Sequence, residues 1–166
     1  MDLKEALQTA LDFELRGEGI YKDVAETSKN PIVKKTFNYL FGQEQNHINE
    51  IKKFMEELNV GSVEFSGDDM DGVRGFFNGE IKQIKEKMEL SGDDEKAHEQ
   101  AMELEKYSYN FYKQRMEEAS DEKVKNFFKT LMEQENAHYA LIQNAYEYIK
   151  NPEQFFAEEE KWIVEG

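Results

Sequence analysis

Glu44-Gln45-Asn46-His47 and Glu135-Asn136-Ala137-His138 are two copies of one pattern, Glu-x-x-His, set 91 residues apart. The same offset of 91 carries Ala10 onto Ala101, Glu14 onto Glu105, Tyr21 onto Tyr112, Val33 onto Val124, Phe37 onto Phe128, Leu40 onto Leu131, Gln43 onto Gln134 and Ile51 onto Ile142. Such self-similarity at one fixed spacing marks an internal duplication. Each half offers a glutamate and then, 30 residues later, the glutamate of a Glu-x-x-His. Residues three apart on a helix share a face, so each Glu-x-x-His directs a carboxylate and an imidazole the same way. Four helices that each point such groups inward make a binuclear metal site in the core of a bundle.

Working outward, the apolar spacing predicts helix one from about Asp2, which can cap it, to Ser28, with Leu3, Leu7, Ala10, Leu11, Glu14, Gly17, Tyr21 and Val24 on one side. Asn30-Pro31 supplies a capping side chain and a proline suited to a first helical position. Helix two then runs to Leu58 with Val33, Phe37, Leu40, Glu44, His47, Ile48, Ile51 and Met55 inward. Helix three is expected from Asp93 to Ala119 and helix four from Asp121 to Lys150. The fold class is therefore all-α, a four-helix bundle over residues 1–150. Its repeat halves are about 1–58 and 92–149. Residues 59–91 have no counterpart in the repeat and form a long crossover between helices two and three, with a shorter helix over Phe76–Leu90. Asn151-Pro152 opens a last short helix within 151–166, from Pro152 to about Val164, whose aromatic residues cap the bundle or join two chains in a homodimer.

Glu44 has Phe37, Leu40, Ile48 and Ile51 at helical spacing around it, and Glu135 has Phe128, Leu131 and Ile142, so both carboxylates are expected inside. Glu14 lies between Ala10 and Tyr21, and Glu105 between Ala101 and Tyr112. Buried carboxylates need partners, because removing an ion from water costs several kcal/mol even after relaxation. No Lys or Arg falls on these stripes, whereas two divalent cations balance four carboxylates. Carboxylate with imidazole suits iron or manganese, with zinc able to substitute. The expected ligands are Glu14, Glu44, His47, Glu105, Glu135 and His138, the two motif glutamates bridging. Chemistry would act through the metals held by the four glutamates. Tyr21 and Tyr112, each seven residues past a terminal glutamate, are expected near the site in a packing, hydrogen-bonding or redox role. Gln43 and Gln134 either orient a histidine through its free ring nitrogen or face solvent. His98 stands opposite Leu7 in the repeat and is expected at the surface; Met88, Met102 and Met116 are expected to fill the core.

Composition removes other classes. The chain has 166 residues, no cysteine and a net charge of −15. Without cysteine there are no disulfides, thiolate zinc sites or thiolate-bound iron–sulfur clusters. So acidic a chain is no general nucleic-acid binder. No apolar run approaches the roughly 18 residues of a spanning helix, so no membrane partner is expected. The opening Met1-Asp2-Leu3-Lys4-Glu5 has no leader pattern, which makes the cytoplasm the expected location.

Over residues 1–150 the pattern of Glu14 with Tyr21, Glu44-x-x-His47, a long crossover, Glu105 with Tyr112, and Glu135-x-x-His138 resembles the rubrerythrin branch of the ferritin-like superfamily. The resemblance implies a carboxylate-bridged diiron site on those six ligands. It also implies reduction of hydrogen peroxide or oxygen by the diferrous form, in a response to oxidative stress. The alternative within the superfamily is a ferroxidase, iron-storage or iron-handling protein; outside it, a metal-free helical interaction module. The chain departs from the family twice. It lacks the four cysteines of a rubredoxin-like domain, so electrons would come from a separate donor protein such as a rubredoxin, or from ferrous iron. It also lacks the family's extra glutamate one turn from the third helix's ligand: Met102 and Ser108 flank Glu105 at three residues on either side.

Overall fold

The computed structural model describes residues 1–58 and 94–151. Four helices account for them: α1 (Leu3–Thr27), α2 (Pro31–Glu57), α3 (Asp94–Glu118) and α4 (Glu122–Lys150). No strand occurs among the described residues. The expected crossover over 59–91, the helix within it, Met88 and the C-terminal helix lie outside them.

Local chemistry sets the helix ends. The Asp2 side chain accepts from the Glu5 N–H while the Glu5 carboxylate accepts from the Asp2 N–H, a reciprocal pair that caps α1. Asn30 caps α2 by accepting from Ile32 and Val33, with Pro31 at the first position. Asp121 caps α4 by accepting from Lys123 and Val124. Asp2 is the N-cap, as expected, and Ser28 is the C-cap, one position outside the helix. The connections at 28–30 and 119–121 are three residues each and occupy equivalent places in the repeat. Links that short force each helix pair to double back as a hairpin.

The closest packing runs within each hairpin, α1 on α2 and α3 on α4; between hairpins, α2 meets α4 and α1 meets α3. Leu7, Phe37, Leu40, Ile51, Phe128, Leu131 and Ile142 are buried between the layers. Burying a side chain of this size contributes about 1.5–3 kcal/mol, and this apolar surround holds the polar cluster described below. Met102 and Met116 pack against the core as expected, partly buried.

One expectation fails. His98 is fully buried, not at the surface. Its ring stands edge-on to Phe37 at 5.0 Å, and its Nδ1 donates to the Asp94 carbonyl at 2.5 Å. The imidazole fills the space that Leu7 fills in the other half, and burial lowers its pKa. Satisfying one ring nitrogen inside its own helix makes a neutral imidazole tolerable there. Its Nε2 has no partner. Among the described residues no helix is long and apolar enough to cross a membrane.

Candidate metal centre

Glu14, Glu44, His47, Glu105, Glu135 and His138 are all buried, each no more than 4% exposed. One residue comes from each of α1 and α3, and two from each of α2 and α4. They meet where the hairpins face each other. The His47 and His138 rings stack at 5.0 Å, tilted by 12°. Ligand atoms of Glu44, His47, Glu135 and His138 all lie within 4.8 Å of one another.

The Nδ1 atoms face the carboxylates. His47 Nδ1 lies 3.1 Å from Glu14 Oε2 and 3.5 Å from Glu135 Oε1. His138 Nδ1 lies 3.3 Å from Glu44 Oε1, 3.6 Å from Glu105 Oε1 and 3.7 Å from Glu135 Oε2. Glu135 therefore presents one oxygen to each histidine. Among the described residues no Lys or Arg pairs with any of the four glutamates.

Tyrosines brace the two outer glutamates across the repeat. Tyr21 of α1 donates its hydroxyl to Glu105 of α3, and Tyr112 of α3 donates to Glu14 of α1 at 2.5 Å. Burial and the neighbouring carboxylates push both phenols well up, so both keep the proton they donate. The offset of 91 foretold that the two tyrosines correspond; it carried no signal that each serves the opposite half.

The protons are unevenly held. Burial, then the charge of Glu14, pushes Glu44 well above the ordinary carboxylate range. Burial, then Glu105, does the same for Glu135. Burial would raise Glu14 too, but its hydrogen bond with Glu44 and the nearby His47 outweigh it and bring the carboxyl to about 2. Glu14 and Glu44 thus titrate as a coupled pair, with Glu14 held low and Glu44 held high. His138 would be lowered by burial, but Glu105 and Glu135 raise it to about 10.

Buried Glu105 Oε2, Glu135 Oε1 and His138 Nδ1 lack hydrogen-bond partners. Unpaired polar atoms are costly inside a protein, and these belong to groups that converge on one point. The donor chemistry, four carboxylates with two imidazoles, fits first-row divalent metals, iron and manganese foremost. Gln43 and Gln134 do not hydrogen-bond either histidine; the Gln134 Oε1 and the His47 Nε2 are both buried without partners. Gly17, on the inward stripe of α1, faces Glu44: a Cβ there would make ordinary contact 3.4 Å from Oε2, and anything larger would crowd that carboxylate.

No curated protein and no solved structure matches the chain. A family model does: the one described as Rubrerythrin matches residues 5–146, a span that takes in every residue of the buried glutamate–histidine cluster. On that match, over a four-helix bundle built around that cluster, the chain belongs to the rubrerythrin family.

Proposed function

We propose that this protein is a non-haem diiron redox protein whose reduced site converts hydrogen peroxide, or dioxygen, at the expense of two ferrous ions. The observation that carries the reading is the buried set of four carboxylates and two inward Nδ1 atoms with no Lys or Arg counter-charge among the described residues. Glu14 and His47 would hold one metal, Glu105 and His138 the other. Glu135, which offers one oxygen toward each histidine, would bridge, with Glu44 bridging beside it. A bound pair of ferrous ions supplies two electrons, enough to turn hydrogen peroxide and two protons into two waters.

The chain's own residues do the rest. The apolar residues around the cluster keep bulk water from the carboxylates. Tyr21 and Tyr112 fix the outer glutamates by hydroxyl donation, so these need not reorganise when charge changes at the centre. Since the chain has no cysteine, it carries no thiolate centre to re-reduce itself. Electrons come from a separate donor protein such as a rubredoxin. If ferrous iron itself is the donor, the same site is a ferroxidase in iron handling.

The test is anaerobic loading with ferrous iron followed by rapid mixing with peroxide and, separately, with oxygen. Two irons per chain and oxidation by at least one oxidant are expected, and Glu135→Ala should lose two-metal loading while staying helical. Full two-metal loading in Glu135→Ala would remove the bridging assignment. A loaded wild type inert to both oxidants would remove the redox reading. Iron uptake far beyond two per chain in a large assembly would favour storage.

A further inference from the structure

The repeat makes the cluster nearly two-fold symmetric, but the protein around it is not. Between α2 and α4 a pocket of about 520 Å³ has His138 in its wall, with Thr36 and Gln43 from α2 and Gln134 and Ala137 from α4. The groove that overlaps the repeat-related position contains Phe127 and Phe54 and does not reach His47. There the two phenyl rings stack at 4.0 Å, tilted by only 4°. The offset of 91 carries Thr36 onto Phe127 and Phe54 onto Ala145. Stacked phenylalanines stand on one side, and Thr36, the counterpart of Phe127, lines the pocket on the other. Accordingly His138 is 4% exposed and His47 1%.

The lining chemistry restricts what the pocket takes. A chain with 36 acidic residues against 21 basic ones places no Asp or Glu around this pocket, and it places Lys35 there. A route for ferrous ions would be expected to use carboxylates to concentrate the cation. Two amides, Gln43 and Gln134, stand on facing helices beside the ligand histidine. The Gln134 Oε1 is buried and accepts from nothing. An amide pair both donates and accepts, which matches a group that carries an O–H and a second oxygen. Dioxygen has no proton to give and gains little from such a pair.

We infer that the α2/α4 pocket at Thr36, Gln43, Gln134 and His138 is the doorway and holding place of a hydroperoxide, ROOH with R either hydrogen or a small organic group. The proposal rests on the redox reading above. The two amides position the hydroperoxide. The O–O bond breaks, two electrons come from the two ferrous ions, and two protons from solvent complete ROH and water. Thr36 lines this path, whereas Phe127, its repeat counterpart, stacks on Phe54 in the other half.

The experiment uses the full chain, iron-loaded, with metal content measured first. Thr36→Phe transplants the closing residue, and Ala137→Trp plugs the pocket independently. Thr130→Trp, in the opposite groove, is the control. Reduced proteins are mixed with hydrogen peroxide, tert-butyl hydroperoxide and oxygen; oxidised proteins are titrated with azide, followed by absorbance. With metal content unchanged, both plugs should slow both peroxides and azide association by about tenfold or more, and Thr130→Trp should do neither. Gln134→Leu should slow the peroxides by about five- to tenfold, the size of one lost hydrogen bond, and leave oxygen unchanged. Slowing of hydrogen peroxide and tert-butyl hydroperoxide together supports the broad class; reaction with hydrogen peroxide alone sets R as hydrogen. If wild type reacts and binds azide but both plugs match it, the doorway is wrong. If Gln134→Leu slows oxygen as much as peroxide, the positioning role is wrong. A wild type that loads iron yet reacts with no oxidant sinks the redox reading instead, a different result.

Discussion

Single hydroxyls and single ring nitrogens set the character of this centre. The Tyr21 hydroxyl is a hydrogen-bond donor to Glu105 inside the core. Tyr21→Phe keeps the ring and deletes only that donor, leaving a buried carboxylate oxygen unpaired. The metal-free protein should lose about 1–3 kcal/mol, read by denaturant melts, while two-metal loading persists. Tyr112→Phe should behave alike through Glu14, because the two tyrosines are related by the repeat. His98 gives the opposite expectation. Its Nε2 is buried without a partner, and its repeat counterpart is Leu7. His98→Leu keeps the volume close and removes an unsatisfied polar atom, so stability should hold or rise. Burial lowers the His98 pKa below 6.5, so its unfolded form takes the proton first as pH falls. Wild type therefore loses stability on this account as pH drops from 6.5 through the folded value, and the leucine variant does not. The gap between the two melting curves should widen in acid; a gap that narrows would contradict the buried, neutral imidazole.

Among the elements, α1 carries the sharpest constraint. Gly17 sits mid-helix, where glycine costs roughly 0.5–1 kcal/mol relative to alanine. A Cβ at that position makes ordinary contact with Glu44, 3.4 Å from Oε2. Gly17→Ala should thus stabilise the metal-free protein by up to about 1 kcal/mol and keep its metal sites. Gly17→Leu adds atoms beyond a Cβ whose three nearest neighbours all belong to Glu44, and so crowds that carboxylate. It should fold and yet bind metal at reduced stoichiometry, as measured by elemental analysis after dialysis. If Gly17→Leu loads fully, Glu44 has more freedom than its packing implies. In the repeat the equivalent residue is Ser108, also buried, which gives the second half a small side chain where the first has none.

At the scale of the molecule, the carboxylate cluster opposes the union of the hairpins it joins. Glu44 and Glu135 have raised pKa values, and His138 is raised to about 10. A group raised on folding contributes stability that is complete below its unfolded value and lost as pH climbs through its folded value. Metal-free protein should therefore melt lower as pH rises from 6.5 toward about 10 and His138 gives up its proton, with the raised glutamates acting in the same direction from 4.5 upward. Glu14 acts in the other direction: its lowered carboxyl contributes above 4.5, a contribution lost as pH falls through about 2. Metals must displace the protons of Glu44 and Glu135, so metal affinity should rise with pH across the range in which free protein weakens. Bound metal at 100 times its dissociation constant adds about 2.7 kcal/mol by mass action. Thermal melts of free and loaded protein across this range should diverge upward in pH; parallel curves would mean that the cluster is not where the metal binds.

Much of this was already written in the chain. The helix ends followed from Asp2 with Glu5, Asn30 with Pro31, and Asp121, because a cap is satisfied by residues two or three positions away. The convergence of six ligand-type side chains followed from the i, i+3 spacing of Glu44 with His47 and Glu135 with His138, repeated at one offset. These are short-range relations, and a linear sequence displays them. What faces what across the bundle is long-range, and only the tertiary structure decided it. The offset shows that Tyr21 and Tyr112 correspond, but not that each reaches the other half's glutamate. It sets His98 beside Leu7 in register, but burial depended on Phe37 arriving from another helix. It pairs Thr36 with Phe127 without showing that one groove reaches His138 while the other, floored by stacked rings, does not reach His47. A duplication states which positions are equivalent; the packing of one helix on another, where exposure and contact arise, determines how equivalent positions come to differ.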